Sequence, residues 1–192
     1  MEIHCKGFST YLRGLGHDDA DAVAAIANDF EIAYNIAELG KFPYPYYRDD
    51  ALKFIDSAAI ELSHGVGLHM GIFLEKTGEL VGIAGLQDMD ATSKKCEIGY
   101  WTGRKYWGSG YAKEAVRLLL GFCFGRLEMN RVAAKVFGFN ERSIKMLEGL
   151  GFTKEGVLMS NVFHGGEFVD DYLFALLAKD YRDRIEIDVR GS

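Results

Sequence analysis

The most constraining stretch of this chain is a strand that runs through two glycines into a helix. Lys95 to Thr102 reads as a strand, with Cys96, Ile98 and Tyr100 facing one way and Glu97, Gly99 and Trp101 the other. After Trp107-Gly108-Ser109-Gly110 the apolar period changes. Ala112, Ala115, Val116, Leu119, Leu120 and Cys123 keep helical spacing and predict a buried helix face. A second strand is expected at Arg131 to Phe137. Strand, helix and strand in that order demand a parallel pair with a right-handed crossover, so the fold class is mixed α and β.

The flanking segments extend this pattern. Phe8 to Leu15 predicts a strand, and His17-Asp18-Asp19 supplies a cap and an acidic first turn for a helix over Ala20 to Ala27. Asn28 to Phe42 is expected to be helical in part, ending where Pro43 and Pro45 block continuation. Arg48 to Ser63 predicts another helix. Leu68 to Leu74 and Leu80 to Leu86 predict strands joined by a turn at Lys76-Thr77-Gly78-Glu79. Asn140 is expected to cap a short helix carrying Ile144, Leu147 and Leu150, stopped at Gly151. His164-Gly165-Gly166-Glu167 joins two last strands, at about Val157 to Phe163 and Phe168 to Leu177. The total is about seven strands and about four helices. With no linker in view, residues 1–192 are expected to form a single domain, its core at about 8–178.

Charge and cysteine usage narrow the function classes. Lys and Arg number 22 against 28 Asp and Glu, a formal charge of −6. Such a chain lacks the broad cationic field that nucleic-acid binding requires, though a local basic pocket for a phosphorylated ligand stays possible. Cys5, Cys96 and Cys123 are odd in number, widely spaced and without a CxxC pair, so they predict free thiols in a reducing compartment. The five histidines show no spacing that suits a metal. Neither a signal segment nor an apolar run of membrane length is visible, and a cytoplasmic protein with no membrane partner is expected.

The glycine turn carries the chemistry. Small residues at Gly108, Ser109 and Gly110 let a backbone approach an anion, and the free N–H groups opening the next helix, at Tyr111 and Ala112, point at it. The third glycine of a dinucleotide fingerprint is missing, and no Gly-Lys-Ser/Thr follows. Arg104 and Lys105 place two cations beside the turn.

Three ordered segments, EIGYWTGRKYWGSGYAKEAVRLLLGFCF, RVAAKVFGFNERSIKMLEGLGFTKEGVL and HGGEFVDDYLFAL, resemble the GNAT superfamily of N-acetyltransferases, and within it the RimJ/RimL-like branch. The resemblance covers roughly residues 8 to 178 and is densest from Glu97 onward. It implies a mixed seven-stranded sheet split between strands 4 and 5, with acetyl-CoA in the split. It also implies that N–H groups from Gly108 to Ala112 hold the pyrophosphate, with Lys105 standing where the family usually has Gln or Arg. Backbone at Tyr100, Trp101 and Thr102 would pair with the pantetheine arm as an added strand. Arg104, Arg142 or Lys145 would meet the ribose phosphate, and Asn140 the pantetheine. Many members carry a tyrosine acid where this chain has Leu147, which leaves Ser143 to donate to the departing sulfur.

The implied reaction is direct attack of an amine on the thioester. An α-amine deprotonates more readily near neutrality than a lysine amine. Glu97, on the face of Gly99 and Trp101, is the first candidate for the base, with Asp170, Asp171 and Glu167 in reserve. Tyr44, Tyr46, Tyr47, Trp101 and Phe163 are candidates for an acceptor pocket. The acceptor is expected to be a protein N-terminus of the ribosomal-protein type. A polyamine, an aminated antibiotic and a non-catalytic acyl-CoA-binding module remain alternatives, and a homodimer is left open.

Overall fold

The computed structural model describes residues 4–36 and 42–183. The chain begins with β1 (His4–Lys6) and β2 (Thr10–Gly14), then a 3-10 turn (His17–Asp19) leading into α1 (Ala20–Ala27) and α2 (Phe30–Ile36). Helix α3 (Arg48–His64) precedes β3 (Leu68–Leu74), β4 (Leu80–Asp90) and β5 (Lys95–Thr102). A second 3-10 turn (Arg104–Tyr106) leads to α4 (Tyr111–Gly125), β6 (Arg131–Phe137), α5 (Glu141–Glu148), β7 (Thr153–His164) and β8 (Glu167–Leu177).

One eight-stranded sheet runs in the order β1-β2-β3-β4-β5-β6-β8-β7. Its neighbours are antiparallel except β5 and β6, the pair that α4 bridges. The mixed class expected from sequence therefore holds, with two corrections. The strands number eight, because His4–Lys6 pairs with Lys6↔Tyr11 register onto β2, and the described helices number five. The short β1 offers no periodicity to read, so the expected split between strands 4 and 5 falls between β5 and β6 in chain order.

Helix α4 lies on one face, against β1 through β5. Its buried surface is wider than the expected stripe, since Leu118 and Phe122 are buried as well. These side chains join Met70, Ile72, Ile98, Val132 and, from α5, Leu147 in one core. On the other face α1 and α3 enclose Val23, Ile55, Phe73 and Ile83. The two cores give the sheet a helical cover on each side. Glu114, in the first turn of α4, accepts the backbone N–H of Ser9 (3.0 Å) and the hydroxyl of Thr10 (3.1 Å). That carboxylate anchors the start of α4 to the β1–β2 connection. All three cysteines are buried and unpaired by disulfide, with Cys96 and Cys123 Sγ atoms 4.0 Å apart.

Arg13 on β2 forks onto Asp19 with two contacts of 2.8 Å and ties the sheet to the entrance of α1. The guanidinium holds the Asp19 carboxyl below its ordinary value of 3.8. A depressed carboxylate stabilises the fold above its unfolded value and loses that contribution as pH falls through the folded one. Asp19→Asn is thus expected to flatten the acid limb of stability below about pH 4. Urea unfolding of both forms from pH 5 downward checks this; parallel pH dependence would refute it.

Candidate active site

Strands β5 and β6 pair at only three rungs: Lys95↔Arg131, Cys96↔Val132 and Glu97↔Ala133. Strand β4 still accompanies β5 to Thr102, and β8 accompanies β6 to Phe137. The two arms of the sheet thus part after Glu97, and the β6-facing edge of residues 98–102 has no strand partner. A cavity of about 500 Å³ occupies the opening, with Ile32, Asn35 and Ile36 of α2 closing one side. Bare strand edges of this kind accept an amide-bearing chain as an added strand. Gly99 sits there with open space where a Cβ would project. The close approach that a strand glycine suggests lies elsewhere: at Gly82 a Cβ would run into the Trp101 carbonyl.

The glycine turn forms the upper end of the cleft. Gly108 (φ 78°) and Gly110 (φ 84°) are left-handed, and neither has an atom where a Cβ would project. No side chain caps α4, so its first-turn N–H groups face the cleft unmasked. Gly110 also starts the helix, because Glu114 N–H donates to its carbonyl (3.0 Å). Fifteen residues of aligned dipoles end at this point.

The lining charges all have one sign. Lys113, Lys135, Arg142 and Lys145 line the cavity, and among the described residues no carboxylate does. Arg142 lies 3.6 Å from the centroid of the Trp107 ring, and Trp107 Nε1 donates to the Thr102 carbonyl (3.0 Å). This stack joins the start of α5 to the loop before the glycine turn. Such cations on an open backbone cradle suit a phosphorylated ligand.

Most residues expected from sequence gather here. Tyr100, Trp101, Thr102, Gly108, Gly110, Ala112, Asn140, Arg142 and Ser143 line the cleft. Ser109 and Tyr111 belong to the turn but lie outside the lining. So do Arg104 and Lys105, because the 3-10 turn at Arg104–Tyr106 carries them away. Lys105 instead meets Glu79 at 2.9 Å. Asn140 caps α5 through Oδ1, accepting Ser143 N–H (3.2 Å), and spends an amide hydrogen on the Asn35 carbonyl (3.1 Å). Its amide is therefore not wholly free for a ligand. Ser143 Oγ lies 2.6 Å from the Tyr100 hydroxyl, whose pKa burial pushes up to about 12.

Glu97 stands on the last paired rung, below the cleft and outside its lining, and accepts from Gln87 Nε2 (3.0 Å). The reserve carboxylates have structural jobs. Asp170 accepts Ser160 N–H and Asp171 accepts Asn161 Nδ2, both at 2.8 Å, around a bulge of β7. Glu167 is exposed at the hairpin. Of the candidate acceptor aromatics only Trp101 lines the cleft. Tyr46 is core, Tyr44 meets Phe30 edge to face, and Tyr47 and Phe163 are exposed. Sequence reasoning missed Lys113, Lys135 and Asn35; an Asn within the apolar run of α2 was the available signal.

The family description "Acetyltransferase (GNAT) domain" matches residues 10–153. The chain belongs to the GNAT acetyltransferase family. This GNAT domain is 34% identical over 170 residues to the uncharacterized N-acetyltransferase p20 of Bacillus licheniformis, covering 88% of this chain and 93% of that protein. It is 29% identical over 118 residues, 61% of each chain, to the ribosomal protein uS5-alanine N-acetyltransferase of Escherichia coli. Mycobacterium smegmatis RimJ, solved in complex with CoA-disulfide, shares its fold with a TM-score of 0.81 at 24% identity, covering 93% of this chain and 87% of that one. The GNAT chain is accordingly an acetyl-CoA-dependent acetyltransferase. Its split sheet, bare β5 edge and cationic glycine cradle fit the amide arm and phosphates of that substrate. Among the described residues no cluster of side chains suits a metal ion, and no helix is long and apolar enough to cross a membrane.

Gly110 is the sharpest probe of the cradle. Gly110→Ala forces a Cβ onto a left-handed backbone at a cost of about 1–2 kcal/mol. Gly110→Glu adds a carboxylate among the phosphates. Calorimetric titration with CoA is expected to show binding weakened in the first and abolished in the second; normal affinity in Gly110→Glu would remove the turn from the site.

Proposed function

We propose that this GNAT enzyme transfers acetyl from acetyl-CoA to a protein N-terminal α-amine, in a ternary complex and as a single domain. The observation that carries the reading is the split cleft, with four cationic side chains and an open backbone edge beneath a glycine cradle. The relative from Escherichia coli, named for acetylating the alanine of ribosomal protein uS5, supports a peptide acceptor. Three buried free thiols suit a reducing, cytoplasmic setting.

The roles follow from placement. First-turn N–H groups at Tyr111 and Ala112, with Arg142 and Lys113, hold the phosphates. The edge of Tyr100 to Thr102 holds the pantetheine amides, and a strand N–H there polarises the thioester carbonyl. Bound acetyl-CoA supplies the activated acetyl group. The amine must be neutral to attack, which favours an α-amine with a pKa near about 8 over a lysine at about 10.4. Glu97 shares the face of Trp101 and takes the released proton through water. Ser143 donates to the leaving sulfur.

An acceptor screen that follows CoA release separates the readings. Peptides with free N-termini are expected to turn over, and polyamines and aminoglycosides to give little. Turnover on polyamines alone would overturn the peptide assignment. Glu97→Gln is expected to lower kcat about 10²-fold and remove the acid limb of the pH–rate profile. An unchanged profile would eliminate Glu97 as the base.

A further inference from the structure

The Tyr100–Ser143 contact joins the two arms of the split at the depth where they have separated. Tyr100 lies on the part of β5 that β6 no longer pairs, and Ser143 lies in the first turn of α5, which follows β6. Their oxygens are 2.6 Å apart and both residues line the cavity. The Tyr100 side chain points to the α4 side of the sheet, where it packs against the core. Leu147, one turn along α5, is fully buried in that same core and offers the cleft no polar atom.

Two hydroxyls in contact share one hydrogen, which leaves the other free. The phenol is the stronger acid of the two, so it donates and serine accepts. The Ser143 proton is then released toward the cleft, and its O–H is strengthened as a donor by the bond it receives. The backbone holds the serine in place for this, since Ser143 N–H is fixed on Asn140 Oδ1.

We propose that Tyr100 is a positioning residue for acetyl transfer, orienting and polarising the Ser143 hydroxyl so that it hydrogen-bonds the departing CoA sulfur as a thiolate. This rests on the acetyltransferase reading of the cleft. In the step, the amine lone pair forms the C–N bond, the C–S bond breaks, and its electron pair stays on sulfur. The amine proton leaves toward the Glu97 side through water. Ser143 and Tyr100 keep their protons, and the thiolate is protonated by solvent on release. Burial raises the Tyr100 phenol well above the range of a thiol, so the phenol keeps its proton while the thiolate forms.

The decisive measurement is the ionisation of the CoA thiol in its complex, followed by thiolate ultraviolet absorbance against a desulfo-CoA blank. In the wild type the bound thiol is expected to titrate below free CoA. Tyr100→Phe and Ser143→Ala are each expected to raise it by about one pH unit, a tenfold loss of thiolate stabilisation. Tyr100→Phe is expected to add nothing in an Ser143→Ala background, because the effect passes through that hydroxyl. Desulfo-CoA affinity should stay unchanged, which shows an intact site. Should Tyr100→Phe fold poorly, Ser143→Thr restoring the wild-type titration against Ser143→Ala decides the matter. A thiol that titrates alike in wild type and Tyr100→Phe overturns the proposal, as does a Tyr100→Phe effect that persists without Ser143. Equal titration in Ser143→Ala and Ser143→Thr does the same. A wild type that binds no CoA would instead overturn the acetyltransferase reading itself.

Discussion

Everything in the site depends on the ladder between β5 and β6 stopping after three rungs. Those rungs suffice to register the two arms, because β4 and β8 continue to hold each strand from its outer side. Past Glu97 and Ala133 the arms part, and the β6-facing backbone groups of β5 are left for a ligand. A fully paired sheet would satisfy them and leave no cleft. The lost hydrogen bonds are a local deficit that binding makes good, while one apolar core, with Ile98 from one arm and Val132 and Phe174 from the other, still spans both.

Helix α4 couples that opening to charge. Its apolar surface is buried against five strands, so its axis is fixed by packing. Its N-terminus is then presented at the mouth of the split with no side chain capping it. Glu114, a natural partner for that positive end, is diverted to Ser9 and Thr10. The cradle thus stays positive in a protein whose formal charge is −6. The acidic surplus lies outside the described cleft lining.

Much of this was legible along the chain. The limits of Leu68–Leu74, Lys95–Thr102 and Arg131–Phe137 agree with their periodicity, because each strand alternates or runs apolar between turn residues. The cap at Asn140 and the left-handed glycines were readable for the same local reason. Side-chain direction was not. Arg104 and Lys105 neighbour the glycine turn in sequence, yet a 3-10 turn sends Lys105 to Glu79. Lys113 and Lys135, from two other elements, supply charge in the cleft. The part of Asn28 to Phe42 expected to be helical shows α2 over Phe30–Ile36, and positions 37–41 lie outside the described residues.

Sequence by itself determined the mixed class, the parallel crossover and the glycine-opened helix, since these follow from periods and from backbone angles only glycine adopts readily. Tertiary structure decided which groups meet across the split. Tyr100 and Ser143 are 43 positions apart, and Asn35 and Asn140 are 105 apart. No local period encodes such pairs. They exist because two strands that begin side by side diverge, and polar groups from β5, α2 and the start of α5 meet across the gap.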